Sequence, residues 1–262
     1  MFSKEHFIWL GICAVIITAT LLFLHKKKPP LSKVLDVACV LCIISELVVV
    51  GTLIKVVPSS NGSETFMYLP LSSMPLHLCS IQTIFVFVAR YMTDEKKRET
   101  LLAFMYVTCI AGAGIALIVS SLFNSVDPSD AFSHPRAYQY HLFHSLLIII
   151  GAYIAMSGEV RFKKKHILAT LAGLGLLGWA SIYINSICSH PIYKNEKLQS
   201  IEYGTNYFFT FETPIGIEMT EKWHWFLYLF ILLCIIVVLE LVFYLPLIKR
   251  DEKYLAAEQN EA

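Results

Sequence analysis

The chain has 262 residues, 56% of them hydrophobic, a formal net charge of +1 and a mean hydropathy of +0.61. A water-soluble surface cannot accommodate that composition, so the soluble globular classes are excluded. The net charge itself says little about partners, because the placement of charge along the chain carries the information.

Seven apolar stretches follow in order: Phe7–Leu24, Val34–Val57, Met74–Met92, Leu101–Phe123, Tyr138–Met156, His166–Ile187 and Trp223–Leu247. Each is close to the roughly 20 residues that a helix needs to cross about 30 Å of hydrocarbon. The expected fold is all-α, a polytopic membrane protein forming a bundle of seven transmembrane helices in one integral membrane domain. The first stretch does not read as a cleaved signal. Its apolar run is too long, no A-x-A site follows, and Lys26, Lys27 and Lys28 read as a cytoplasmic anchor. Fifteen Lys and Arg residues fall in the first, third and fifth loops and the tail, against six on the opposite side. The positive-inside rule then puts the N-terminus outside and the C-terminus in the cytoplasm, as seven crossings require. The expected location is the plasma membrane, with multiple passes. No soluble domain is expected on either side, so function is expected in the bundle and its outer loops. The loop from about Cys188 to Lys222 is long and carries Tyr193, Tyr203, Tyr207, Phe208, Phe209 and Phe211. It is expected to lie on the interface or to fold over the outer mouth.

Several motifs read as decoys. Gly173, Gly175 and Gly178 spell a dinucleotide fingerprint inside an apolar helix with no preceding strand, so close helix packing by small residues explains them better, as it does Gly112 and Gly114. Cys39 and Cys42 lie mid-membrane, where thiols behave as small hydrophobes. Asn61-Gly-Ser63 is an outward-facing sequon. No internal repeat is apparent, which weakens a transporter of the inverted-repeat kind.

The polar residues inside the spans are more informative. His77 and Cys79 fall in the first two turns of the third span, His141 and His144 in the first two turns of the fifth, and Asn185 in the last turn of the sixth. Ser181 and Cys188 share the face of Asn185, and Asn206 lies in the outer loop. All are expected within about 10 Å of the outer interface at 1.5 Å per residue. Asp36 and Glu240 fall near the cytoplasmic side, and Glu46 is central, where a carboxyl is expected to face helices or a wet cavity and not lipid. Singly, each polar group is better explained by helix packing or interfacial water; together they read as a site.

Spacing assigns roles. His77 and Cys79 point to nearly opposite sides of a helix and cannot act as base and nucleophile for each other. Cys79 shares a face with Gln82 and Thr83, so its base is expected from the fifth helix, where His141 and His144 look the same way. Pro75 suits a helix's first turn with Ser73 as cap, which places Cys79 near a helix N-terminus that favours thiolate. A Cys–His pair of this kind suits attack on an acyl carbon through a thioester.

The segments Met74-Pro-Leu-His-Leu-Cys79, Tyr140-His-Leu-Phe-His144 and Gly204-Thr-Asn-Tyr-Phe208 together resemble the YwaF-type bacterial integral membrane proteins, a seven-span and functionally uncharacterised family. The resemblance covers most of the chain. More distantly, the chain is similar to the vertebrate multi-span acyltransferases that act on ether phospholipids. There a Pro-Cys at the start of a span supplies the nucleophile and a His in a later span the base, which implies Cys79 and His144. Here Leu78 precedes Cys79 and Pro75 stands further back. Androgen-induced-type lipid hydrolases, a related pattern, use Thr in place of Cys.

Two functional classes stand side by side. In the first, Cys79 is the nucleophile and His144 the base of a lipid acyltransferase or acyl hydrolase. His141 then orients the base or donates to the substrate, His77 and Gln82 bind substrate, and Asn185 or Asn206 is the oxyanion donor. In the second, the protein is a carrier or sensor of a small or lipid ligand, with Glu46 and the outer cluster lining the cavity. Metal or haem binding by His77, Cys79, His141 and His144 is a third reading, and a Cys79–Cys188 disulfide is a further alternative that would abolish the nucleophile. The expected partners are membrane lipids, with a lipid ester as substrate; no cofactor, nucleic acid or protein partner is expected.

Overall fold

The computed structural model describes residues 3–59, 64–120, 122, 126–194, 197–213 and 219–261. The sequon at Asn61 lies outside them. Seven α-helices are found among the described residues: α1 Lys4–Lys27, α2 Leu31–Leu53, α3 Leu78–Tyr91, α4 Glu95–Ile118, α5 Pro135–Ser157, α6 Lys164–Ile187 and α7 Lys222–Glu261. Six are long and apolar enough to cross a membrane; α3 is apolar but has 14 residues. The chain is an all-α, multi-pass membrane bundle.

Local chemistry sets the helix ends. The Ser3 side chain accepts from His6 N–H, Asp94 accepts from Lys96 and Lys97 N–H, and Gly158 closes α5 at φ 73°. Two expected boundaries move for physical reasons. The second span stops at Leu53 and not Val57, because Lys55–Pro58 forms β1, paired antiparallel with β2 at Thr65–Tyr68. Two adjacent valines followed by proline favour extended backbone. The third span starts at Leu78 and not Met74. Ser73 ends a short 3-10 turn, and its hydroxyl donates to the Pro70 carbonyl at 2.5 Å instead of capping a helix. Met74, held extended before Pro75, cannot be helical (φ −59°, ψ 142°). Two further boundaries move. The fourth helix is Glu95–Ile118 in place of Leu101–Phe123, and α7 continues past Leu247 to Glu261 with Pro246 inside it.

The centre of the bundle is α4 against α5. Of the apolar stretch of α5, 61% is buried inside the protein, against 6% for α7. Gly151 makes that approach: a Cβ there would lie 2.8 Å from Ile110 Cγ1 and 3.0 Å from the Tyr106 carbonyl oxygen. Small-residue packing also holds for Gly173 against Phe104, but Gly114, Gly175 and Gly178 have nothing within 4 Å of such a Cβ. Cys39 and Cys42 are buried in the apolar core.

Alternation of the helices gives the bundle two distinct ends. One carries the β1–β2 hairpin and a second hairpin, β3 Ser189–Lys194 with β4 Lys197–Tyr203. The other carries the lysine-rich loops. There Asp36 pairs with Arg90, Glu159 accepts from Leu31 N–H at 2.6 Å, Asp251 accepts from Phe162 N–H at 2.7 Å, and Arg250 donates to the Ala155 carbonyl at 2.9 Å. Toward that end, the Tyr244 hydroxyl donates to the Ala103 carbonyl at 2.7 Å, fixing the otherwise lightly packed α7 to α4.

Candidate functional site

Cys79 is the second residue of α3, at the hairpin end of the bundle. His77 is the N-cap residue, extended at φ −70° and ψ 153°, with no side-chain capping bond. Gly112 of α4 faces this turn: a Cβ there would lie 3.3 Å from Leu78 Cδ2 and 3.7 Å from Cys79 Sγ. A Cβ there would press on Leu78 and meet the thiol in ordinary contact. One turn further along α3, buried Gln82 donates to Thr108 Oγ1 at 3.0 Å, and the Cys109 thiol lies 3.4 Å from its carboxamide oxygen. Gln82 thus ties α3 to α4 below the thiol.

On α5, Pro135 occupies the first helical position and His134 accepts from Arg136 N–H at 3.2 Å. The Tyr140 hydroxyl donates to the Ala116 carbonyl of α4 at 2.7 Å. His144, one turn deeper, is buried with its Nδ1 2.6 Å from the Tyr140 carbonyl oxygen. A carbonyl only accepts, so Nδ1 carries the proton and the neutral ring presents Nε2 as a lone pair. Gly112 stands one turn deeper than Ala116 on antiparallel α4, so Cys79 and His144 lie against the same stretch of α4. No hydrogen bond joins them.

His141 packs toward α1. Its ring stacks on Trp9 of α1 with centroids 4.4 Å apart and planes at 6°, and its Nδ1 lies 2.8 Å from the Ala137 carbonyl oxygen. His77 faces the other way, toward the aromatic loop, with ring centroids 4.8 Å from Tyr207 and 6.2 Å from Phe209.

That loop folds over the start of α3 and is clamped by Asn185. The Asn185 carboxamide oxygen accepts from Thr205 Oγ1 and Tyr207 N–H, both at 2.9 Å. Its nitrogen donates to the Tyr207 carbonyl at 3.0 Å and to Thr210 Oγ1 at 2.8 Å. Tyr207 in turn donates its hydroxyl to the Leu71 carbonyl, and burial pushes its phenol up to about 12. Phe208 and Phe209 both sit at positive φ (57° and 53°), a strained pair for bulky side chains. Gly204 has no alternative, because a Cβ would lie 2.4 Å from the Cys188 carbonyl oxygen. Asn206 donates to the Glu212 carbonyl at 2.8 Å and accepts from Phe211 N–H at 3.1 Å. Both asparagines hold the loop, and the N–H groups of Asn185 are already spent on it. Cys79 and Cys188 are free thiols, so the alternative disulfide is absent. Among the described residues no three His, Cys, Asp or Glu side chains gather as metal ligands, and His77, His141 and His144 face different neighbours.

The sequence reading missed a polar brace between α2 and α5. Arg136 Nη1 donates to Gln139 Oε1, and Gln139 Nε2 donates to Ser45 Oγ at 2.7 Å. Glu46, next along α2, is half-buried and lies within electrostatic reach of Arg136 without forming an ion pair. Arg136 is one of the six basic residues on the outer side by sequence, where His134-Pro135 before it is a helix-start signal.

No curated protein and no solved structure matches the chain. Residues 1–242 match the TMEM164 family, a multi-span membrane family, and with more than nine-tenths of its length covered the chain belongs to that family.

Proposed function

We propose that the hairpin end faces outward at the plasma membrane and that the bundle performs thiol-dependent acyl transfer or hydrolysis on a lipid ester. Cys79 is the nucleophile and His144 the base. The observation that carries this reading is the state of His144. Its Nδ1–H is committed to the Tyr140 carbonyl, and its Nε2 is a lone pair with no partner among the described residues, on the stretch of α4 that Cys79 packs against. The likeness of the motifs around Cys79 and His144 to the acyltransferase pattern supports it.

In the reaction, the thiol proton passes to His144 Nε2 and the sulfur attacks the ester carbonyl carbon. The carbonyl pair moves to oxygen, then returns as the lipid alkoxide leaves with the proton from His144. The product is a Cys79 thioester, which a hydroxyl or water cleaves with His144 again as base. The first-turn N–H groups of α3 have no intrahelical acceptors and serve the oxyanion in place of Asn185. His77 stands between this turn and the aromatic loop, on the route a substrate takes.

The test is intact mass of the full chain after incubation with a lipid ester. One acyl mass is expected on the wild type, removable by neutral hydroxylamine and missing from Cys79→Ala. Absence of any adduct, together with a Cys79 no more reactive to a lipid-linked thiol probe than Cys234, favours a carrier or sensor. The half-buried Glu46 and the lack of a hydrogen bond between Cys79 and His144 speak for that second reading.

A further inference from the structure

We propose that Arg136 anchors the anionic head of an amphiphile, an oxyanion of phosphate or carboxylate type, at the hairpin end of α5. The proposal takes its role in catalysis from the lipid-ester reading, but the anchor is argued and tested on binding alone.

Three observations carry it. Arg136 is the second residue of α5, where the helix dipole adds positive potential while His134 already caps the Arg136 N–H. Its guanidinium is aimed by a brace that spans two helices, through Gln139 to Ser45. A simple solvated arginine needs no such support. Of five side-chain N–H donors only one is spent on this brace, and among the described residues the others meet no acceptor. A planar fork with unspent donors is matched by a carboxylate or phosphate, which takes two parallel bonds.

Glu46 shapes the preference. Its carboxyl is near enough to feel Arg136 but does not neutralise it by contact. It therefore weakens the hold on any anion and disfavours a second negative charge. The occupant is a lipid-borne anion and not a dissolved one. Arg136 stands where a span begins, so a head held there leaves its acyl chains free to enter the bilayer. His144 lies two turns and a little more, about 12 Å, deeper along the same helix.

Native mass spectrometry of the full chain in detergent tests this with phosphatidylglycerol and diacylglycerol of matched chains. The wild type should retain phosphatidylglycerol about tenfold over diacylglycerol, the scale of one charge-assisted hydrogen-bonded pair. Arg136→Gln should erase the preference, and Arg136→Lys should keep part of it, since charge survives but the fork does not. Glu46→Gln should strengthen retention, an opposite sign that general destabilisation cannot produce. The proposal is overturned if Arg136→Gln keeps the wild-type preference, if Glu46→Gln weakens it, or if millimolar inorganic phosphate displaces the lipid. Cys79→Ala should bind like the wild type. Loss of the anchor and loss of the acyl chemistry are therefore read separately, one as lipid retention and the other as the thioester.

Discussion

At the lysine-rich end, several charged side chains are closed on the protein. Asp251 accepts from Phe162 N–H and from Arg250, Glu159 from Leu31 N–H, and Arg90 holds Asp36. At the hairpin end, His144 keeps Nε2 open, Arg136 spends one of five donors, and the Cys79 thiol has no hydrogen bond. Groups of the first kind join helices, and their loss is felt as stability. Groups of the second kind are held in place by their neighbours yet leave valence unspent, which a ligand can use. Glu240 breaks the pattern. It is buried on α7 one turn before Tyr244, away from the hairpin end, and its carboxyl oxygens have no partner among the described residues.

The contrast can be sharpened first by asking which end sees the outside. Cysteines placed at Glu64 and beside Lys194 should react with a membrane-impermeant thiol reagent on intact cells. Cysteines beside Lys97 and Lys164 should react only after permeabilisation. The reverse pattern would turn the site to the cytoplasmic leaflet. Next in size, His144→Ala should slow thioester formation about a hundredfold or more, the usual share of a general base, while leaving the melting temperature close to wild type. A matched fall in both would make His144 a packing residue. Smallest is Asp251→Ala, which strands Phe162 N–H and Arg250. It should lower stability by about 1–3 kcal/mol in a detergent unfolding assay and leave the Cys79 adduct rate unchanged. A slowed adduct would erase the division between the ends.

Hydropathy made the long helices legible, because about 20 apolar residues allow a helix and little else in a bilayer. It misplaced the start of α3, since Met74 and Leu76 are as apolar as the helix they precede. The telling residue was Pro75, whose ring forces its predecessor extended. The β1 strand was written in Val56-Val57-Pro58 but was absorbed into an apolar window. At the site, spacing separated His77 from Cys79 as if both were helical, whereas His77 is extended before the helix and turns to Tyr207. It also paired His141 with His144, where the structure turns His141 onto Trp9. Two residues three apart on a helix differ by about 60° in direction, enough to meet different neighbours. Asn185 looked like a free polar group because its four partners are 20 to 25 residues away in sequence, beyond any local pattern.

With 14 residues, α3 rises only about 21 Å, well short of an average hydrocarbon thickness of about 30 Å. The missing length lies at the thiol end, where the chain from Leu71 to His77 is not helical apart from one short turn. A bilayer meets this mismatch by thinning locally or by letting acyl chains and their ester groups enter beside the helix start. On the proposed acyl-transfer reading, such a mismatch brings lipid ester bonds toward the thiol, and thinner or thicker membranes would move them toward or away from it.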